Sequence, residues 1–253
     1  MAPIPDARPD LYDQIGRGYD ATRRADPRIE AQIRAALDGF SPVVNIGAGT
    51  GSYESACAEV MAVEPSAEMI SRRPAGSAPV LQACAEALPF DDDHFDAALG
   101  VLTVHHWQDW RLGLAEVRRV VRRRIVLLTH AFVGDAFWLL DYFPAIPQID
   151  AGRMPALSAI ADELPGARFD VVPIAKDCED GFLCAWWARP EAYLDPVVRA
   201  GISCFPGMSG VEARVDLLRD DLASGRWHER YGSVLERDWM DFGYRLVTWD
   251  MAV

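Results

Sequence analysis

Val43-Val44-Asn45-Ile46-Gly47-Ala48-Gly49-Thr50-Gly51-Ser52-Tyr53 is the stretch on which the reading of this chain turns. The apolar run from Val43 to Ile46 has the length and character of a strand buried on both faces, as in a parallel sheet. Three glycines follow on a two-residue spacing. Glycine reaches positive φ at little cost and puts no Cβ between the backbone and a docked group. Tyr53 to Ala58 can then start a helix, whose unpaired N–H groups and positive dipole end would face the same spot. Strand, glycine turn and helix start together predict a nucleotide-type cofactor site at the carboxyl end of a sheet. The glycine pattern alone leaves the cofactor open.

Working outward, the next strand is Val60 to Glu64, with Glu64 13 residues after Gly51. A carboxylate at the tip of the neighbouring strand can accept hydrogen bonds from both hydroxyls of an adenosine ribose; the structural alternative is an acid that opens the helix after Pro65-Ser66. Ser66 to Arg73 read as a short helix and Pro79 to Cys84 as a third strand. Asp91-Asp92-Asp93 form a charged loop, which solvation explains without a metal. Phe95 to Leu102 make a fourth strand that delivers Thr103-Val104-His105-His106-Trp107 to the carboxyl edge. Residues 109–122 are an amphipathic helix with an arginine-rich end that suits its dipole, and Ile125 to Thr129 are a fifth buried strand. Upstream, Asp26-Pro27 caps a helix carrying Ile29, Ile33, Ala36 and Leu37 on one face. The Tyr-Asp pairs before it, including Tyr19, would form either surface turns or a flap over the cofactor.

Strands alternating with helices predict a doubly wound, seven-stranded, mostly parallel sheet. The division expected is an N-terminal flap and helix over 1–40, a cofactor-binding core over 41–177, a helical and aromatic insertion over 178–240, and a closing strand over 241–253. Within that insertion Val211, Val215, Leu218 and Leu222 mark one helical face. An aromatic cap over the ligand edge would shape an acceptor pocket, although such aromatics also fill cores.

With 253 residues, half of them hydrophobic, the chain can bury a sizeable core. Its net charge of −13, with Lys176 as the sole lysine, opposes binding to nucleic acid or an anionic membrane. Five cysteines lie in no metal-ligand spacing, and Met1 to Asp6 lack a basic-then-apolar leader, so a cytoplasmic protein with reduced thiols is expected. No apolar run approaches the ~20 residues that span a bilayer.

Val44 to Gly51, Glu64 at the next strand end, and Ala85-Glu86-Ala87-Leu88-Pro89-Phe90 before Phe95-Asp96 together resemble the class I S-adenosylmethionine-dependent methyltransferases, in particular the UbiE-like small-molecule enzymes. The resemblance covers about residues 10–130, and Tyr244 to Val247 are similar to the closing antiparallel strand of that fold. It implies S-adenosyl-L-methionine as cofactor, with Gly47, Ala48, Gly49 and Gly51 against its methionine and ribose parts. Glu64 would hold the ribose hydroxyls, Ala85 and Glu86 would meet the adenine, Thr103 would line the methionine end, and Tyr19 would cover the sulfonium side. The family usually carries an acid where this chain has Asn45, and an amide there loses a charge.

The activity implied is in-line methyl transfer to a small hydrophobic or aromatic acceptor, in which the enzyme mainly aligns the nucleophile and excludes water. Should the acceptor have to lose a proton, His106, or failing it His105, stands where a base is needed, and imidazole titrates near neutrality. The same fold could use the cofactor for a non-methylating reaction such as cyclisation, or Asn45 could mark a decayed site in a binding protein. A nicotinamide dehydrogenase is disfavoured because Ser52 holds the last position of G-x-G-x-x-G/A and no Tyr-x-x-x-Lys pair exists. Exposed aromatic area in the insertion would serve a homodimer interface equally well.

Overall fold

The computed structural model describes residues 23–57, 59–151 and 153–251. Helix α1 (Pro27–Leu37) is opened by Asp26, whose carboxylate accepts the Arg28 N–H at 2.9 Å. Ile29, Ile33, Ala36 and Leu37 are its buried face, so the helical spacing in the sequence marks the packing side. Burial pushes the Asp26 carboxyl up, but the Arg28 guanidinium and the N–H groups of Glu179 and Arg28 outweigh it and bring it down to about 2. That contact ties α1 to a segment some 150 residues away.

Strand β1 (Val43–Ile46) is buried along its whole length. It pairs in parallel with β2 (Val60–Val63) on one side and β4 (Phe95–Val101) on the other. β3 (Val80–Leu81) extends the sheet beyond β2, and β5 (Val121–His130) extends it beyond β4, both parallel. β9 (Tyr244–Asp250) lies antiparallel beside β5, and β6 (Arg168–Val171) pairs antiparallel with β9 at the edge. The order is therefore β3-β2-β1-β4-β5-β9-β6, seven strands with one reversed. The chain steps outward from β1 to β3 and then returns to lay β4 on the other side of β1. At that reversal the connections after β1 and β4 leave in opposite directions and open a crevice at their carboxyl ends.

Alternating side chains give the sheet two cores. Val44, Ile46 and Leu127 face helices α3 (Trp110–Val120) and α6 (Leu157–Glu163), while Val43, Leu99 and Leu128 face α1 and the chain beyond Phe137. Between β6 and β9 the chain forms the helical cap. Its base is a two-stranded ribbon of β7 (Ile174–Ala175) and β8 (Trp239–Met240), and it contains α7 (Pro196–Ala200), α8 (Val211–Ser224) and α9 (Arg226–Tyr231). Trp138 stands edge-on to Trp227 at 5.1 Å and to Tyr193 at 5.6 Å, and its indole N–H donates to the Trp187 carbonyl at 2.8 Å. These rings fill core.

Two local expectations change. The helix expected from Tyr53 onward is a single turn over Glu54–Ala56. Only residues 47–59 separate β1 from β2, and the glycine loop uses half of them, so no longer helix fits. The insertion expected to be helical breaks at Asp195-Pro196 into a turn over Pro190–Leu194 and α7, because proline suits a first turn and not an interior. Among the described residues no helix is long and apolar enough to cross a membrane.

Candidate active site

Gly47, Gly49 and Gly51 all adopt left-handed backbone, at φ of +64°, +53° and +92°. At Gly47 a Cβ would stand 1.9 Å from the Thr103 hydroxyl oxygen, so only glycine lets the loop after β1 close on the end of β4. Thr103 is held in turn by the Trp107 indole N–H at 3.2 Å. Glu64, at the tip of β2, is almost fully buried; one oxygen accepts the Gly49 N–H at 2.8 Å and the other the Ser66 N–H at 3.0 Å. Burial raises its pKa, and those two N–H groups and the Arg73 charge oppose the rise. Each oxygen retains a second acceptor direction.

Glu64, Ala85, Glu86, Thr103 and Trp107 bound a cleft of about 690 Å³. One Glu86 oxygen accepts the N–H groups of Gln108 and Asp109 at 2.6 and 3.2 Å. Among the described residues the cleft walls thus carry two carboxylates and no arginine or lysine. The N-terminal ends of the helices Ala67–Ser71 and α3 lie against these two acids, through the Ser66 and Asp109 N–H groups. A pyrophosphate-bearing dinucleotide would meet negative charge here, whereas an uncharged adenosine attached to a cation fits.

A second compartment of about 400 Å³ shares Gly47, Gly49 and Val101 with that cleft and is also lined by Asn45, Ala48 and Arg23. Behind it, the buried Asn45 amide donates to Glu54 at 3.4 Å. Glu54 receives Arg73 on both oxygens at 2.6 Å, and Arg73 also donates to the Gly49 carbonyl at 3.1 Å. Gly51 packs over Glu54, away from both compartments. A buried acid therefore exists beneath the loop, supplied by Glu54 and already paired. Nothing in the spacing of Glu54 and Arg73 announces that contact.

The third space, a cavity of about 590 Å³, meets the cleft at Leu102 and His106 and the second compartment at Arg23. Leu102 is held at φ +49°, a costly conformation for a leucine placed at the junction. His105 and His106 sit on a one-turn segment with ring centroids 3.8 Å apart. Burial, reinforced by the Arg153 and Arg23 charges, takes the His106 imidazole down to about 3. Burial and then the neighbouring His106 hold His105 well below the ordinary range. Both imidazoles are thus moved away from the titration near neutrality that the sequence predicts and toward the neutral form, which keeps one acceptor nitrogen. Arg23 is oriented by Asp180 at 2.6 Å, which also takes the Tyr53 hydroxyl at 2.9 Å. His130 bonds the Phe242 carbonyl through Nε2 at 3.0 Å, which places its proton there, and burial lowers its pKa to about 4. Asp150 lines the same cavity, its carboxyl pushed up to about 6 by burial despite Arg153. Asp150, Arg23 and His130 carried no motif in the sequence. Tyr19 lies outside the described residues.

Residues 44–128 match a family described as a methyltransferase domain. Among solved structures, a protein described as a methyltransferase from an antibiotic biosynthesis pathway of Anabaena variabilis ATCC 29413 is 32% identical. It superposes with a TM-score of 0.83 over 91% of this chain and 99% of that one. YcgJ of Bacillus subtilis, 18% identical, aligns over 88% of this chain and 98% of its own with a TM-score of 0.54. The cyclase SpnF, 14% identical, aligns over 100% and 98% with a TM-score of 0.57. At those identities the last two speak for the fold alone. No curated protein matches the sequence.

Proposed function

Because the chain belongs to the class I S-adenosylmethionine-dependent methyltransferases, with S-adenosylmethionine as cofactor, we propose that it methylates a small, largely hydrophobic molecule held in the cavity behind Leu102 and His106. One observation carries this reading: Leu102 and His106 line both the cofactor cleft and the adjoining cavity, so the two ligands would meet there. S-adenosylmethionine supplies a methyl group on a cationic sulfur, already activated for displacement.

In this reading Glu64 takes the ribose hydroxyls, and Ala85 with Glu86 takes the adenine. Gly47, Ala48, Gly49 and Thr103 line the methionine portion, and Arg23 offers its carboxylate a partner. Asn45 acts indirectly, by anchoring to Glu54 beneath the loop. The cavity aligns the nucleophile and excludes water. His106, neutral at physiological pH, accepts a hydrogen bond from the acceptor and orients it. An imidazole with so low a pKa is a weak proton store, so it assists most where the proton leaves as the new bond forms; His105 supports it from behind.

The test is a calorimetric titration with S-adenosylhomocysteine and S-adenosylmethionine, with NAD as control. Micromolar binding of the first two and silence from NAD are expected, followed by labelled-methyl transfer to members of an acceptor panel. His106→Ala should lower that transfer about 100-fold. Absence of binding by either adenosyl compound would sink the reading.

A further inference from the structure

Resting on the methyltransferase reading, we propose that Asp150 anchors the acceptor, a compact, neutral, mostly apolar molecule whose hydroxyl group donates to the Asp150 carboxylate at a point away from the atom that receives the methyl group. Asp150 closes helix α5 (Ile146–Ala151) and is 7% exposed. It lines the acceptor cavity but neither cofactor compartment, whereas Leu102 and His106 line cavity and cleft alike. The methyl-receiving atom belongs at the Leu102–His106 end, so Asp150 addresses a different part of the molecule.

The carboxylate is unspent. Among the described residues none donates a hydrogen bond to it. Its backbone carbonyl takes the N–H groups of Arg153 and Met154 at 2.8 and 2.7 Å, and the Arg153 guanidinium turns to the Ser203 carbonyl at 3.5 Å. The contrast is Asp180, fully buried, whose two oxygens hold Arg23 and Tyr53. The carboxylate borders the cavity, so an entering ligand can supply the donor. Met154, Phe182, Leu183 and Ile202 supply the apolar part of the wall. Arg153 and Arg23 already place positive charge on this space, and the sulfonium adds more, so a neutral hydroxyl is favoured over an ammonium group.

The titration behaviour of the cavity fits. The groups facing Asp150 are Arg153 beyond its own helix, Cys204 and Cys184 from the cap turns, and Arg23, His105, His106 and His130 from the remaining walls. Burial holds the histidines toward the neutral form and the thiols toward the protonated form. Between pH 5 and 8 Asp150, at about 6, is thus the group among these that changes charge.

The experiment uses full-length protein saturated with S-adenosylhomocysteine and three matched probe sets: naphthalene, indane and adamantane skeletons carrying a hydroxyl, an aminomethyl group or no polar group. At pH 8 the hydroxyl members should bind at least about ten-fold tighter than the hydrocarbons, the preference shrinking several-fold at pH 5. Asp150→Leu should abolish it, and the pH series on the wild-type protein carries the same test should that variant not fold. Equal binding of hydrocarbon and alcohol, tighter binding of the ammonium members, survival of the preference in Asp150→Leu, or no binding by any set would overturn the proposal. Should S-adenosylhomocysteine itself fail to bind, the methyltransferase reading falls, and the same series on the protein alone then judges Asp150 separately.

Discussion

The cofactor cleft and the acceptor cavity share a wall at Leu102 and His106, yet their carboxylates are treated in opposite ways. In the cleft, Glu64 holds the N–H groups of Gly49 and Ser66, and Glu86 holds those of Gln108 and Asp109. The acids there brace the backbone, so the shape of the cleft is set before a ligand arrives. In the cavity, Asp150 has only the distant charge of Arg153 to oppose its burial, and its carboxyl rises to about 6. The lesson concerns specificity. A region that must fit one invariant cofactor satisfies its own polar groups, and a region that selects an acceptor leaves one polar group for the acceptor to satisfy.

The largest expected effect tests the braced side. Arg73→Ala leaves Glu54 buried without its partner and should cost about 3–5 kcal/mol in denaturant unfolding; a loss under ~1 kcal/mol would mean that the pair is solvated and the loop not braced by it. Next is Gly47→Ala, whose new methyl group meets Thr103 at a left-handed φ. A loss of about 2–4 kcal/mol in stability is expected, with S-adenosylhomocysteine affinity falling alongside, both read in one thermal-shift series.

The unspent side is tested by pH. A folded-state carboxyl raised from 3.8 to about 6 binds its proton more tightly than the unfolded chain does. Its contribution to stability is therefore full below pH 3.8 and lost as the pH climbs through 6. Asp150→Asn carries no such loss, so the variant should gain on the wild type between pH 4 and 7 by up to ~3 kcal/mol. Parallel unfolding curves across that range check it, and a gap that does not change with pH would contradict the raised Asp150 carboxyl. The smallest effect returns to the cleft: Glu64→Gln should weaken S-adenosylhomocysteine binding by about 1–3 kcal/mol. Calorimetry that finds unchanged affinity would remove Glu64 from the ribose.

Much of the cleft was legible because its parts are strand ends. The apolar residues of β1, the glycines after them, Glu64 at the end of β2 and Thr103 after β4 lie where a parallel sheet delivers its loops, and the alternation of strands and helices marks those strand ends. Residue counting between β1 and β2 could also have shown that only one helical turn fits. Glu54 and Arg73 were not legible. They meet because the loop folds back over the strand that carries Asn45, and that return leaves no pattern in a linear reading. The aromatics around Trp138 and Trp187 announced apolar bulk without revealing that they pack on one another in the core.

The sequence by itself determined the doubly wound sheet, the position of the cofactor edge, the left-handed glycine loop and the presence of two histidines beside it. Steric limits and short-range hydrogen bonding act between neighbours in the chain, so contiguous residues encode them. Only the tertiary structure decided that His106 is neutral and Asp150 poised near pH 6. Desolvation and charge depend on what packs around a group, and here that environment is assembled from Arg23, Arg153, the cap and the end of β5, all remote from one another along the chain.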